Sequence, residues 1–159
     1  MEYPKGKLTE KERREIEKEI AYREHKKAAS TDALKVVQRH RGWVGEEIVE
    51  IADMLDMSSA ELESVATWYS LIFRKPVGRH VILICDSIAC WIVGYEKILN
   101  HLVDRLGVQL GGTTADDRFT LLPVACLGSC EQAPAMMVDE DFYGDLTPEK
   151  IDEILDQYQ

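Results

Sequence analysis

The sequence has no apolar run long enough to cross a bilayer. Stretches such as Val81-Ile82-Leu83-Ile84-Cys85 fall far short of the roughly 18 residues a spanning helix needs. Near Met1 there is neither an apolar signal core nor an Arg/Ser-rich, acid-poor transit segment, so a soluble, intracellular-type chain without direct membrane insertion is expected. Positive charge is also short. The 19 Lys and Arg face 29 Asp and Glu, a net charge of −10, which argues against sequence-independent nucleic-acid binding and against docking on anionic lipid. No G-x-G-x-x-G or P-loop occurs, and Gly111-Gly112-Thr113-Thr114 reads as a loop, so nucleotide chemistry is not expected in this chain. C-x-x-C is missing, which counts against a thioredoxin-type dithiol. His25, His40, His80 and His101 are scattered without ligand spacing. There is no internal repeat and no low-complexity segment.

What is present is ordinary globular composition: 159 residues, 45% hydrophobic and 30% charged, enough for one or two domains. The charge is uneven. Residues 1–42 hold 12 Lys/Arg and 8 Asp/Glu, whereas 43–159 hold 7 and 21. A basic arm on an acidic body suggests oriented docking, with plain solvated helix faces as the alternative.

Residues 1–73 read as a helical domain. Thr9-Glu10-Lys11-Glu12 is a capping box opening a helix to about Lys26, whose narrow apolar stripe (Ile16, Ile20, Ala21, Tyr22) suggests that it lies along a partner. Asp32 is expected to cap a second helix ending before Gly42. Glu46–Leu55 is a third by its 3.6-type spacing, and Ser58-Ser59-Ala60-Glu61 opens a fourth through Trp68. Residues 74–79 have linker chemistry. The pattern then changes over 80–159. His80–Cys85 reads as a buried strand, Gly94 to about Arg105 as an amphipathic helix, and Phe119–Ala125 and Ala135–Val138 as strands. Phe142-Tyr143 follows as a short strand, and Thr147-Pro148 starts a last helix with Pro at N1. The order β-α-β-β-β-α implies a right-handed parallel βαβ unit, then a hairpin and a covering helix.

All four cysteines lie in this second part, as Cys85-x4-Cys90 and Cys126-x3-Cys130. Each pair begins where a parallel strand ends, so the two following loops converge at one sheet edge. Two pairs of thiolates suit a 2Fe–2S cluster, two per iron. Pairing by chain proximity puts Cys85 and Cys90 on one iron, Cys126 and Cys130 on the other. Leu127-Gly128-Ser129 suits close approach, with backbone N–H groups free to point at sulfur. Structural zinc and unligated core cysteines stay open on spacing alone. Trp91, next to Cys90, either shields such a cluster from water or simply packs. At least one of Met136 and Met137 should be core, because alternation sends them to opposite faces.

Cys85-Asp86-Ser87-Ile88-Ala89-Cys90-Trp91 and Cys126-Leu127-Gly128-Ser129-Cys130-Glu131-Gln132-Ala133-Pro134-Ala135-Met136-Met137 closely resemble the thioredoxin-like 2Fe–2S subunits of respiratory complex I. These are the E subunits of bacterial NADH:quinone oxidoreductases. The likeness extends through Phe119-Thr120-Leu121-Leu122-Pro123, Leu146-Thr147-Pro148-Glu149-Lys150-Ile151 and Val65-Ala66-Thr67-Trp68-Tyr69. It implies a thioredoxin-like fold for the second domain, a fold that often places a cis proline near the position of Pro134. It implies a 2Fe–2S cluster on Cys85, Cys90, Cys126 and Cys130. It also implies a larger flavoprotein partner (the F subunit of such complexes) that holds FMN and NADH, and a cytoplasmic place at the inner membrane face through the parent complex.

The resulting expectation is an electron-transfer subunit with no substrate site of its own. Similar small subunits occur in NAD-linked hydrogenases and formate dehydrogenases. A free-standing ferredoxin would have no need of the helical front. From other classes, a zinc-stabilised interaction module and a thiol–disulfide oxidoreductase remain as rivals.

Overall fold

The structure is a computed structural model that describes residues 6–158. The chain divides into two compact units, Met1–Pro76 and Val77–Gln159.

The first unit is helical: α1 (Glu10–Ala21), a 3-10 turn (Lys26–Ala29), α2 (Ser30–Arg41), α3 (Ile48–Met54) and α4 (Ser59–Trp68). Both capping boxes form. The Thr9 and Ser58 hydroxyls accept from the N–H groups of Glu12 and Glu61, whose carboxylates reach back to the cap N–H groups. Gly42 ends α2 in the left-handed region at φ 83°, a conformation glycine adopts without cost. Ile16, Leu34, Val37, Ile51, Leu55 and Leu62 form the fully buried centre.

Three expectations change. The first helix stops at Ala21, not Lys26, and it packs on its own unit more firmly than its narrow apolar stripe suggests. Ile16 is fully buried and Ile20 packs beside it. Glu12 is also fully buried and forms a two-pronged ion pair with Arg41, Oε1 to Nε at 2.6 Å and Oε2 to Nη2 at 2.7 Å. Arg41 also donates to Glu47 Oε1 at 2.6 Å and to the Lys7 carbonyl at 2.7 Å. Glu12 thus belongs to the packing of α1, while Glu10, Lys11, Arg14, Glu17 and Lys18 stay exposed. Asp32 is not the cap of α2, which is Ala29. It lies in the first turn, where its carboxylate suits the helix dipole and accepts from Arg23 Nη2 at 2.6 Å.

In the second unit, β1 (His80–Cys85), α5 (Ile88–Ile92), α6 (Tyr95–Leu106), β2 (Phe119–Val124), β3 (Met136–Val138), β4 (Asp141–Tyr143) and α7 (Pro148–Leu155) follow in order. The sheet runs β2-β1-β3-β4. β1 and β2 are parallel, with His80 opposite Phe119 and Cys85 opposite Val124. β3 pairs antiparallel to both β1 and β4. As a central strand, β1 is buried from Val81 to Cys85, which is why it reads as a continuous apolar run and not an alternating one.

Ile82, Ile84, Phe119, Leu121 and Met136 from the sheet meet Ile98 and Leu102 of α6 and Ile151, Ile154 and Leu155 of α7. Each such fully buried side chain contributes about 1.5–3 kcal/mol. Met136 is fully buried and Met137 partly so, as alternation requires. Gly111 and Gly112 tie the loop before β2 back onto that strand, through Gly111 N–H to Leu121 O at 2.7 Å and Leu121 N–H to Gly112 O at 3.0 Å. Four aspartates, Asp56, Asp117, Asp139 and Asp145, take left-handed positions with φ between 47° and 55°. The Ala133–Pro134 bond is cis. Among the described residues, no helix is long and apolar enough to cross a membrane.

Candidate metal centre

Cys85 is the last residue of β1. Cys126 follows β2 by two residues, so the parallel pairing of these strands delivers both cysteine segments to the same sheet edge. Cys90 sits on α5, a single short helix that the sequence pattern did not predict, because Ile88-Ala89-Cys90-Trp91-Ile92 is apolar without a periodic face. Cys130 begins a 3-10 turn, Cys130–Gln132. Between Cys126 and Cys130 the chain reverses at Gly128, φ 85°.

The two segments touch. Cys85, Cys90 and Ala135 form a small buried cluster against which Leu127 of the second segment packs, together with Tyr95, Val124 and Ala133. Two hydrogen bonds fix the base of the site, Cys85 N–H to Ala135 O at 3.1 Å and Asp86 N–H to Val124 O at 3.0 Å. The Cys85 thiol and the Ser87 hydroxyl lie 3.3 Å apart, and Gly128 N–H donates to Cys126 Sγ at 3.3 Å.

The thiols differ electrostatically. Burial opposes a thiolate at Cys85, yet hydrogen bonds from Ser87, from the Leu127 backbone and from Cys90 hold its pKa below the ordinary value. At Cys90, burial and the neighbouring Cys85 push the pKa up. At Cys130 the adjacent Cys126 raises it, first through their hydrogen bond and then through charge, with burial and Cys85 adding to the effect. Among the described residues, no group of three or more His, Cys, Asp or Glu lies close enough together to hold a metal ion.

Trp91 is 56% exposed, so it fills no core position. Ser129 precedes the 3-10 turn, and its carbonyl accepts from Gln132 N–H at 3.1 Å. Three histidines are turned to carboxylates: His40 to Glu15 at 3.0 Å, His80 to Asp139 at 2.7 Å and His101 to Asp152 at 3.1 Å. Sequence reasoning missed Ser87, Tyr95 and Ala135 as neighbours of the thiols. Ser87 lies between the cysteines of a Cys-x4-Cys motif, and that was the available signal.

A sheet with two cysteine pairs at one end of its parallel strands is the architecture of a known class. The profile of the thioredoxin-like 2Fe–2S ferredoxins matches residues 16–159, and the chain belongs to this family. Within it, the chain is 49% identical over 152 residues to the E subunit of the NADH-quinone oxidoreductase of Pseudomonas aeruginosa, covering 95% of this chain and 92% of that protein. It is 50% identical over 153 residues to the Escherichia coli protein of the same name, covering 96% and 92%. Among solved structures, a chain of an NAD+-reducing NiFe hydrogenase matches with a TM-score of 0.70 at 25% identity, over 82% of this chain but 23% of that one.

Proposed function

We propose that this protein is the 2Fe–2S electron-transfer subunit of an NADH-quinone oxidoreductase, with Cys85 and Cys90 holding one iron and Cys126 and Cys130 the other. The observation that supports the reading is the meeting of the two cysteine-bearing segments, with Leu127 of one packed on Cys85 and Cys90 of the other. The donor set fits. Two pairs of sulfurs match the two-per-iron demand of this cluster, whereas zinc asks for four donors around one point.

When bound, such a cluster supplies reversible storage of one electron, one iron changing between ferric and ferrous. The chain's own residues set how that happens. The Gly128 N–H and the Leu127 backbone, directed at Cys126 and Cys85, stabilise negative charge on sulfur. The Ser87 hydroxyl can do the same at Cys85. Burial of Cys85 and Cys90 keeps water from that side. The chain holds no nucleotide motif, so NADH and FMN belong to a separate flavoprotein partner, the F subunit of the parent complex, which exchanges electrons with this chain. The parent complex would keep the chain on the cytoplasmic face of the membrane.

The hydrogenase likeness favours a second reading, the small subunit of an NAD-linked hydrogenase. Against it, the chain spans 92% of the Pseudomonas quinone-reductase protein and 23% of the hydrogenase chain. The first test is anaerobic assay of iron, zinc and acid-labile sulfide. About two irons and two sulfides per chain support the reading, while about one zinc without sulfide refutes it. Cys126→Ala is expected to abolish the visible spectrum, and an unchanged spectrum would remove Cys126 from the ligand set. Isolation of the native complex, assayed for NADH-driven quinone reduction against hydrogen-driven NAD+ reduction, separates the two parent enzymes.

A further inference from the structure

The two cysteine pairs are equivalent as ligands but not in access. Cys85 and Cys90 are 3% and 1% exposed, closed off by Ala135 and by Leu127 from the opposing segment. Cys126 and Cys130 are exposed. Their segment turns at the left-handed Gly128 and is braced by short-range contacts, Gly128 N–H to Cys126 Sγ, Gln132 N–H to Ser129 O and Ala133 N–H to Cys130 O. Exchange of one thiolate for another at iron requires the incoming sulfur to reach the metal while the outgoing ligand is still near it. A bulky donor can present its cluster to Cys126 and Cys130. It cannot present it to sulfurs lying beneath Leu127.

We propose that the exposed pair is the docking point for cluster delivery. Cys126 and Cys130 take a preformed 2Fe–2S cluster from a thiolate-ligated donor, and Cys85 and Cys90 close on the second iron afterwards, as the Leu127 segment moves aside. The proposal rests on the ligand assignment made above. Each exchange forms one iron–sulfur bond to the chain and breaks one to the donor. The chain thiol gives up its proton and the departing donor thiolate takes one, so no electrons are transferred and no oxidant is needed. The class of reaction that supplies this protein is therefore ligand exchange from a thiolate-held cluster.

Two measurements on the full chain test this. In the cluster-free protein, brief iodoacetamide treatment followed by peptide mass spectrometry should label Cys126 and Cys130 roughly tenfold or more faster than Cys85 and Cys90, whose reaction waits on local opening. Equal labelling of all four overturns the proposal. Uptake from a glutathione-held 2Fe–2S cluster, followed by visible circular dichroism, should show a concentration-dependent capture step. Cys126→Ser and Cys130→Ser should slow that step about tenfold or more, while Cys85→Ser and Cys90→Ser should leave its rate unchanged and yield a product that a chelator strips quickly. Capture slowed as much by the buried-pair variants overturns the order. A wild-type chain that takes up no cluster overturns the ligand assignment, and the order with it.

Discussion

Gly128 allows the backbone contribution to the centre to be separated from its packing. Its φ is 85°, and a Cβ built there would meet nothing within 4 Å. A substituent therefore costs torsional energy and creates no clash. Placing an L-residue in the left-handed region costs about 1–2 kcal/mol, more when the side chain is β-branched, whereas Asn tolerates it. The segment is exposed and lies outside the large core of the second unit. The cost should therefore appear as easier local opening of residues 126–130 and not as a lower melting temperature. One to two kcal/mol is a factor of roughly 5–30 in that opening equilibrium. With the cluster-loaded protein, loss of visible absorbance to an iron chelator should accelerate by about this factor in Gly128→Ala. Gly128→Val should be faster still, and Gly128→Asn close to wild type. A Val variant as slow as wild type, or an Asn variant as fast as Val, would refute the assignment of this residue to a conformational role.

Three further outcomes follow from other positions. Glu12→Gln should destabilise the helical unit by about 2–4 kcal/mol, below the cost of orphaning a buried charge because Arg41 retains Glu47, as read from urea unfolding followed by far-ultraviolet circular dichroism. Burial opposes the charge on Glu12, but Arg41 and Thr9 outweigh it and hold the pKa below 4.5. Wild-type stability from this pair is therefore present above about pH 4.5 and lost as pH falls through the depressed value. Glu12→Gln should lack that acid limb, and an identical pH profile would contradict the assignment. Trp91→Ala should change unfolding free energy by less than about 0.5 kcal/mol, since the ring is exposed; a larger loss would mean that the ring packs. Gly144→Ala should disturb the centre from a distance, because its Cβ would lie 2.5 Å from Gln132 Cβ, in the 3-10 turn that begins with Cys130. A cluster spectrum identical to wild type would show that the turn absorbs the push.

Most of the second unit was legible, because its signals are physical and local. The β-branched run of β1, the inward Ile98 and Leu102 of α6 and the Thr147-Pro148 start of α7 each have one structural solution. The delivery of both cysteine segments to one sheet edge followed from the parallel direction of β1 and β2. The first unit was less legible. Counting apolar residues undervalued α1, because a charged residue was read as solvent-facing when Glu12 and Arg41 satisfy each other inside the core. Asp32 had the chemistry of a cap, but the 3-10 turn at Lys26–Ala29 starts α2 earlier. Helix α5 has neither the length nor the periodicity that would announce it. The unequal exposure of the two cysteine pairs depends on Leu127 and Ala135 closing over one of them, a tertiary fact with no trace in spacing.

The left-handed aspartates bear on how the protein's acidity should be understood. Asp56, Asp117, Asp139 and Asp145 occupy turns where the backbone asks for a short polar side chain, and Asn would answer that demand equally well. Asp56 and Asp139 also meet Lys26 and His80 through their carboxylates, whereas at Asp117 and Asp145 conformation accounts for the size and polarity of the side chain and not for its ionisation. The contribution of Asp117 and Asp145 to the net −10 is therefore separable from the fold. Exchanging Asp117 and Asp145 for Asn would vary the protein's long-range field while holding its turns in place. That offers a way to ask how far the negative body sets the speed of encounter with other molecules, independently of the shape they meet.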